Sequence, residues 1–202
     1  MKHALLLMGV VAALAISGPA YSQYMYLDVN GDQICDATDV LTPSTISVDV
    51  WLDTDSNADG SPASCNTGSE NLTMNSYEFF LHADGALTYG AWADNQGFGT
   101  DFGTTNAGAD AYVGWGGAAA LSSGLYKLGS LAVSGVGAST SLSIIASSSV
   151  NPVGFTSFGS ECFGNDFDNT YKLPSDWTDV CGTAVTTPVT QTTWGAIKSI
   201  YR

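Results

Sequence analysis

The sequence has little positive charge and almost no histidine. Only 5 of its 202 residues are Lys or Arg and 2 are His, against 19 Asp and Glu, so the formal net charge is −14. This excess of acid argues against nucleic acid and anionic lipid as partners, because both repel a negative surface. Calcium, cationic surfaces and neutral glycans are the partners that such a surface favours.

The sequence also lacks an apolar run of the roughly 20 residues that a transmembrane helix needs. The shorter run Leu5–Ile16 follows Lys2 and precedes the small residues Ala20 and Ser22. This arrangement is typical of a secretory signal that is cleaved after Ser22. We therefore expect residues 1–22 to be removed, and the product to be secreted or held at the cell surface. Losing Lys2 and no acid would change the net charge from −14 to −15.

Cysteine is scarce, and its four positions are Cys35, Cys65, Cys162 and Cys181. An even number in an exported chain predicts two disulfides. Proximity in the sequence favours Cys35–Cys65 and Cys162–Cys181, and the other two pairings stay open. A zinc site would need closer spacing and histidines, whereas His82 is the one histidine left after cleavage.

Helical periodicity is missing except near the end of the chain. Short runs of alternating apolar and polar residues are instead separated by Gly, Asn and Asp clusters, which predicts an all-β domain. In Ile46–Leu52 the aliphatic residues occupy every second position, so Ile46 should face the core and Trp51 the opposite side. Further strands are predicted at Tyr77–His82, Ala86–Tyr89, Ala111–Trp115, Leu125–Val133 and Ser141–Ala146. Asp94–Asp110 is predicted to be an extended loop, and the whole pattern favours a two-sheet, jelly-roll-like sandwich.

A 12-residue acidic run, Asp28–Asp39, carries oxygen-bearing side chains at its positions 1, 3, 5, 9 and 12. These side chains belong to Asp28, Asn30, Asp32, Asp36 and Asp39, and the carbonyl of Ile34 lies at position 7. Calcium takes about six to eight hard oxygen ligands from a tightly curved backbone, so this spacing predicts a calcium site. Asp36 would bind directly or through water. The alternative is an acidic surface turn without metal.

The start of this run, Asp28-Val29-Asn30-Gly31-Asp32, and its end at Asp39 resemble the calcium loop of dockerin modules. That loop typically reads Asp-x-Asn-Gly-Asp-Gly and closes with Asp. The resemblance implies the ion site. It does not imply the dockerin's binding to a partner, because the second loop and the recognition helices are missing. Gln33 stands where dockerins prefer Gly, so we expect a strained or altered turn there.

Residues 45–147 are similar to a cohesin or a related carbohydrate-binding sandwich. The resemblance lies in strand-like segments, which are residues 46–52, 76–81, 124–133 and 141–144. It implies a jelly-roll-like sandwich and assigns no binding residue.

A second acidic run follows the first strand of this sandwich. Asp53, Asp55, Asn57 and Asp59 would form a weaker second calcium site, or else an Asx-rich turn.

Four segments are thus predicted along the chain. They are the signal at 1–22, the calcium-loop segment at 23–43, the sandwich at 44–182, and a linker with a short amphipathic tail at 183–202. In the tail, apolar residues from Trp194 to Tyr201 recur at helical spacing. Trp194 to Arg202 is therefore either a docking peptide or a segment that folds back on its own domain.

No catalytic residue is predicted. A Ser or Cys nucleophile needs a base, and His82 lies in an alternating strand where a cross-strand contact suits it better. Trp92, Trp115 and Trp177 lie in or beside predicted loops and are candidates for stacking on a sugar, with core packing as the alternative. We therefore expect a non-catalytic, calcium-binding module for extracellular or cell-surface protein interaction. The alternative is a carbohydrate-binding module associated with polysaccharide degradation.

Overall fold

The computed structural model describes residues 23–57, 60–63, 72–160, 171–172 and 183–186. Several of the predictions above fall outside these residues. They are the signal at 1–22, Asp59, Cys65, Cys162, Trp177, Cys181 and the tail from Trp194 to Arg202.

The described residues form twelve strands and no helix. The strands are β1 (Gln23–Asp28), β2 (Val40–Leu41), β3 (Ser47–Asn57), β4 (Met74–Asp84), β5 (Thr88–Asp94), β6 (Thr100–Ala107), β7 (Asp110–Leu121), β8 (Leu125–Ser134), β9 (Ser141–Ile145), β10 (Ser157–Gly159), β11 (Tyr171–Lys172) and β12 (Thr183–Thr186).

Two sheets pack against each other, which confirms the predicted all-β, two-sheet sandwich. The smaller sheet has the order β1-β3-β8-β5. The larger sheet runs β11-β10-β4-β9-β12-β2, with β7 pairing β4 and β6 pairing β7. The pairs are antiparallel apart from β12 with β2. β1, β2 and β12 therefore belong to the sheets, although they lie outside the predicted sandwich limits of 44–182.

The core lies between the two sheets and is built by alternation along each strand. Val48, Val50 and Leu52 of β3 point inward, as do alternate residues of β4 from Tyr77 to Leu81. Full burial of one such side chain contributes about 1.5–3 kcal/mol. Trp51 lies on the opposite face of β3, as predicted, and is nevertheless buried, because Tyr26 and Cys35 pack against it there.

Two local predictions are wrong. Ile46 precedes the first residue of β3 and its side chain is 79% exposed, so it does not join the core. The segment Asp94–Asp110 is not an extended loop, because residues 100–107 form β6 and pair with β7. Nearly every residue of β6 is exposed, so its backbone hydrogen bonds form without the apolar alternation that marks a strand in the sequence.

Candidate functional site

The acidic loop Asp28–Asp39 begins at the last residue of β1 and ends immediately before β2. Its two end carboxylates are buried, with Asp28 1% and Asp39 6% exposed. The Asp28 carboxylate accepts the N–H groups of Gly31 at 2.6 Å and Gln33 at 3.0 Å. Asp39 accepts the N–H of Val29 at 2.7 Å, so the two ends of the loop are held together.

The middle of the loop is curved by side chains that accept backbone N–H groups two residues further on. Asn30 Oδ1 accepts from Asp32 at 2.9 Å, and Asp32 Oδ1 accepts from Ile34 at 2.8 Å. Asp36 Oδ1 accepts both the N–H and the hydroxyl of Thr38, at 2.7 Å and 2.6 Å. Such Asx turns replace the strand ladder with tight local curvature.

The backbone at Gln33 has the strained form that the sequence predicts. Its φ is 65°, in the left-handed region, where a side chain costs roughly 1–2 kcal/mol. Gly31 has a φ of 80°, which glycine adopts without this cost. Two hydrogen bonds hold Gln33 in place, because its N–H donates to Asp28 and its carbonyl accepts the Tyr26 hydroxyl at 3.0 Å.

Aromatic side chains on the outer face of the smaller sheet support the loop. The rings of Tyr26 and Trp51 stack with their centroids 6.2 Å apart and an angle of 7° between planes. Cys35, at position 8 of the loop, packs against this pair and is disulfide-bonded. The other three cysteines lie outside the described residues, so the pairing Cys35–Cys65 stays a prediction.

Burial and local hydrogen bonds shift the pKa values of the loop carboxylates in opposite directions. Burial raises the pKa of Asp39; hydrogen bonds from the N–H groups of Val29 and Asp36 oppose this effect, and the charge of Asp28 adds to it. At Asp36, the hydroxyl and N–H of Thr38 hold the pKa below its ordinary value. Within the described part of the chain, neither ion pair involves the loop, since they join Lys127 to Asp49 and His82 to Asp110.

The donors fit calcium in kind and number but do not converge. Four carboxylates, one amide and the Ile34 carbonyl provide six hard oxygens, which is within the range of about six to eight that calcium takes. No three His, Cys, Asp or Glu side chains among the described residues form a group that could hold a metal ion. The candidate ligand Asn30 also turns its nitrogen to its neighbours, because its Nδ2 donates to Asp32 Oδ2 at 3.0 Å and to Thr38 Oγ1 at 2.7 Å. The Asn30 NH2 group thus donates to the Asp32 carboxylate, which a bound cation would otherwise contact.

The second acidic run is the end of a strand, since β3 continues to Asn57. Asp53 is buried and accepts the N–H groups of Asp55 at 3.1 Å and Ser56 at 3.0 Å. Burial raises the pKa of Asp53, and the neighbouring Asp55 adds to this effect. The side chain of Asn57 is not described and Asp59 lies outside the described residues, so the second calcium site stays a prediction.

Two of the three candidate sugar-binding tryptophans, Trp92 and Trp115, pack against the core. Trp92 Nε1 donates to the Tyr77 hydroxyl at 3.2 Å, and the Trp92 ring meets Phe79 edge-on at 5.3 Å. Trp115 is partly buried on the same core, and its Nε1 is buried without a hydrogen-bond partner in the described structure. Sugar binding by Trp92 and Trp115 stays a prediction without support from this placement.

His82 is a cross-strand neighbour, as the sequence indicates. It lies opposite Asp110 of β7, and its Nδ1 is 2.6 Å from Asp110 Oδ1. The other carboxylate oxygen of Asp110 accepts the Ser148 hydroxyl. Ser148 therefore contacts the acid and not the imidazole, whereas nucleophilic catalysis needs serine hydrogen-bonded to its base. Sequence reasoning missed Ser148, which lies in a loop without a recognisable motif.

An open groove of about 400 Å³ lies beside the loop. It is lined by Val29, Asn30, Val40, Thr42 and residues 44–47. Its lining combines hydroxyl groups with the exposed side chain of Ile46, a mixture typical of protein-contact surfaces. Sequence reasoning missed the groove, because no pattern within residues 29–47 indicates that these side chains line one surface.

Among the described residues, no helix has the length and apolarity that a membrane span requires. Comparison of the chain with protein-family models, with curated proteins and with solved structures finds no match.

Proposed function

We propose that this chain is a secreted, calcium-stabilised β-sandwich that binds a protein partner outside the cell or at its surface. The observation that carries the calcium part is the pair of buried carboxylates, Asp28 and Asp39, at the two ends of one loop. Both are surrounded by N–H donors, and neither meets a cationic side chain among the described residues. Buried like charges destabilise a fold unless a cation compensates them.

Calcium would bind Asp28, Asn30, Asp32, the Ile34 carbonyl, Asp36 and Asp39. Each carboxylate that accepts an N–H bond retains lone pairs for a metal. Binding requires Asn30 to rotate, so that its Oδ1, which now accepts the Asp32 N–H, takes the place of Nδ2 beside the Asp32 carboxylate. The ion would then supply the positive charge that the loop lacks.

The groove beside the loop is the proposed contact surface for the partner. Val29 and Asn30 line it and also belong to the loop, so calcium binding would fix part of the surface. Ile46 is 79% exposed there and provides the apolar anchor that a protein contact needs.

The calcium part is tested by isothermal titration of the purified protein, after chelation, with CaCl2. We expect one strong site per chain, and no heat of binding after Asp28→Asn with Asp39→Asn. Absence of binding by the wild-type protein refutes the calcium part.

The contact surface is tested by capture of envelope proteins on the immobilised module, in calcium and in a chelator. We expect calcium-dependent capture that Ile46→Ser removes. Val153→Ser is the matched control, because Val153 is 86% exposed and does not line the groove. Equal loss in the two variants, or capture unaffected by either, contradicts the proposed surface.

Glycan binding is the second candidate, and Phe102 favours it. This side chain is 49% exposed, and its ring covers Gly116 so closely that a Cβ there would overlap Phe102 Cζ. Glu78 lies on β4, which pairs with β7, and its carboxylate accepts hydrogen bonds from the hydroxyls of Tyr112 at 3.0 Å and Ser157 at 3.2 Å. An exposed ring near an oriented carboxylate suits a sugar with an apolar face and several hydroxyls.

A glycan array separates the two candidates. Selective capture of a neutral glycan that Phe102→Ala removes supports this second function. Leu125→Ala is the control, because Leu125 is similarly exposed, at 45%, on the other sheet.

A further inference from the structure

We infer that the disulfide at Cys35 and the calcium site stabilise each other, so that the loop closes fully only where an oxidant and calcium are both present. This inference rests on the proposed calcium site and goes beyond it by naming how the site is regulated.

Cys35 lies inside the candidate ligand set. It occupies position 8 of the loop, between the Ile34 carbonyl and Asp36. Its side chain packs against Tyr26 and Trp51 on the outer face of the smaller sheet. The disulfide bond of Cys35 therefore lies between two candidate ligands, at the point where the loop packs against the sandwich.

Hydrogen bonds connect the residues near Cys35 to both buried carboxylates. On one side, Gln33 donates its N–H to Asp28 and accepts the Tyr26 hydroxyl. On the other side, the N–H of Asp36 donates to Asp39 Oδ2 at 3.4 Å. Displacement of Cys35 from the aromatic pair would therefore move groups that hold both ends of the loop.

The coupling follows from chain entropy and must act in both directions. A cross-link removes conformations of the open loop, which lowers the entropic cost of bringing six oxygens together around one ion. Calcium in turn holds Cys35 where the bridge can form. If oxidation strengthens calcium binding by some factor, calcium makes reduction of the disulfide less favourable by the same factor.

The redox step is ordinary thiol–disulfide exchange. One thiolate of a dithiol reductant attacks a sulfur of the Cys35 disulfide and forms a mixed disulfide, while the other protein sulfur leaves as thiolate. The second reductant thiolate displaces the remaining protein sulfur and closes a cyclic disulfide. Two electrons pass to the protein, and its two thiolates take protons from water.

The biological consequence is a loop whose closure depends on the compartment. Thiols stay reduced inside most cells, whereas exported proteins meet oxidising conditions. We expect the loop to remain open in the reduced, calcium-poor chain and to close once both conditions have changed.

The first test measures calcium affinity by titration calorimetry on the oxidised chain and on a variant that lacks the bridge. Peptide mapping first identifies the partner cysteine, and the variant then carries Ser at Cys35 and at that partner. We expect calcium to bind the variant at least about fivefold more weakly, at the lower end of typical coupling. Affinities within twofold of each other overturn the inference while the proposed calcium site stands. No binding by the oxidised chain refutes the site, and the inference with it.

The second test keeps the inference falsifiable if the variant does not fold. The native chain is equilibrated with mixtures of reduced and oxidised dithiothreitol, and alkylation of each cysteine is measured by mass spectrometry with and without calcium. Calcium should lower the equilibrium constant for reduction at Cys35 at least about fivefold and leave that of the predicted bridge without Cys35 unaffected. Equal protection of both bridges indicates global stabilisation and overturns the inference, as does no protection of either.

Discussion

Replacing Asp39 with Asn should change stability in opposite directions with and without calcium. Without calcium, the Asp39 carboxylate is 6% exposed, lies near Asp28 and receives only N–H groups. The amide introduced by Asp39→Asn would still accept the Val29 N–H through its oxygen and would lose only the longer contact from Asp36. The variant should therefore be at least as stable as the wild type in chelator.

With calcium the order should reverse. A ligand at 100 times its dissociation constant stabilises the folded state by about 2.7 kcal/mol. For a chain of this size, 1 kcal/mol shifts Tm by about 2–4 °C, so calcium should raise the wild-type Tm by about 5–11 °C. Asp39→Asn should lose most of this gain, because it removes a charged ligand at the end of the loop.

The pH dependence provides an independent check in chelator. Because the pKa of Asp39 is raised in the folded state, the protonated form is the one that folding favours. The contribution of Asp39 to stability is thus fully present below its ordinary pKa of 3.8 and is lost as the pH rises through the higher folded value. The wild type should lose stability relative to Asp39→Asn across this interval. In calcium the sign of this difference should reverse, because a bound cation favours the charged carboxylate and protons compete with it.

Differential scanning calorimetry of both proteins, in chelator and in calcium, measures these effects. Asp84→Asn is the control, because Asp84 is an exposed acid at the end of β4 and should respond to calcium like the wild type. A wild-type Tm that calcium does not change refutes the reasoning. So does a variant that calcium stabilises as much as the wild type.

Three further predictions concern the fold and are measured by denaturant unfolding. Tyr77→Phe should lower the free energy of unfolding by about 1–3 kcal/mol, because the buried hydroxyl donates to Asp94 Oδ1 and its loss leaves polar groups without partners. A decrease below about 0.5 kcal/mol, which is typical of a surface substitution, contradicts this prediction. Gly129→Ala should lower the free energy of unfolding by about 1–3 kcal/mol or more, because the new Cβ would overlap the backbone oxygen of Ala93, which cannot rotate away as a side chain can. Stability close to that of the wild type would contradict this prediction and show that the two strands separate easily. Gln33→Gly should raise the free energy of unfolding by about 0.5–1 kcal/mol, because the strain relieved at the left-handed φ of 65° exceeds the entropic cost of ordering glycine. A destabilised variant would contradict this and mean that contacts of the Gln33 side chain contribute more than the strain costs.

The strands that fill the core were predictable from the sequence. Val48, Val50 and Leu52 alternate with polar residues, and burial of that single face produces the period of two. β6 was not predictable, because its stability comes from backbone pairing with β7 and its side chains are exposed. The burial of Trp51 was equally hidden, since it depends on Tyr26 and Cys35 from other segments.

The loop was predictable in its backbone and not in its side-chain arrangement. The positive φ of Gln33 was expected from its place at a position where dockerin calcium loops, which this run resembles, use Gly. Spacing places six oxygens along the loop, and it cannot decide whether Asn30 turns its oxygen or its nitrogen toward the Asp32 carboxylate. That choice depends on local hydrogen bonds and on the presence of a cation, and neither is written in the order of residues.

The parallel pair between β2 and β12 also constrains how the chain folds in time. β2 directly follows Asp39, and its residue Val40 pairs with Val185, about 145 residues later. Contacts so distant in sequence raise the contact order and form late, because a long stretch of chain must first be ordered. The far end of the acidic loop thus receives its neighbouring strand only after residues 185 and 186 have been synthesised. Until then Val40–Leu41 presents an unpaired edge, which is a point where chaperones or misassembly would act.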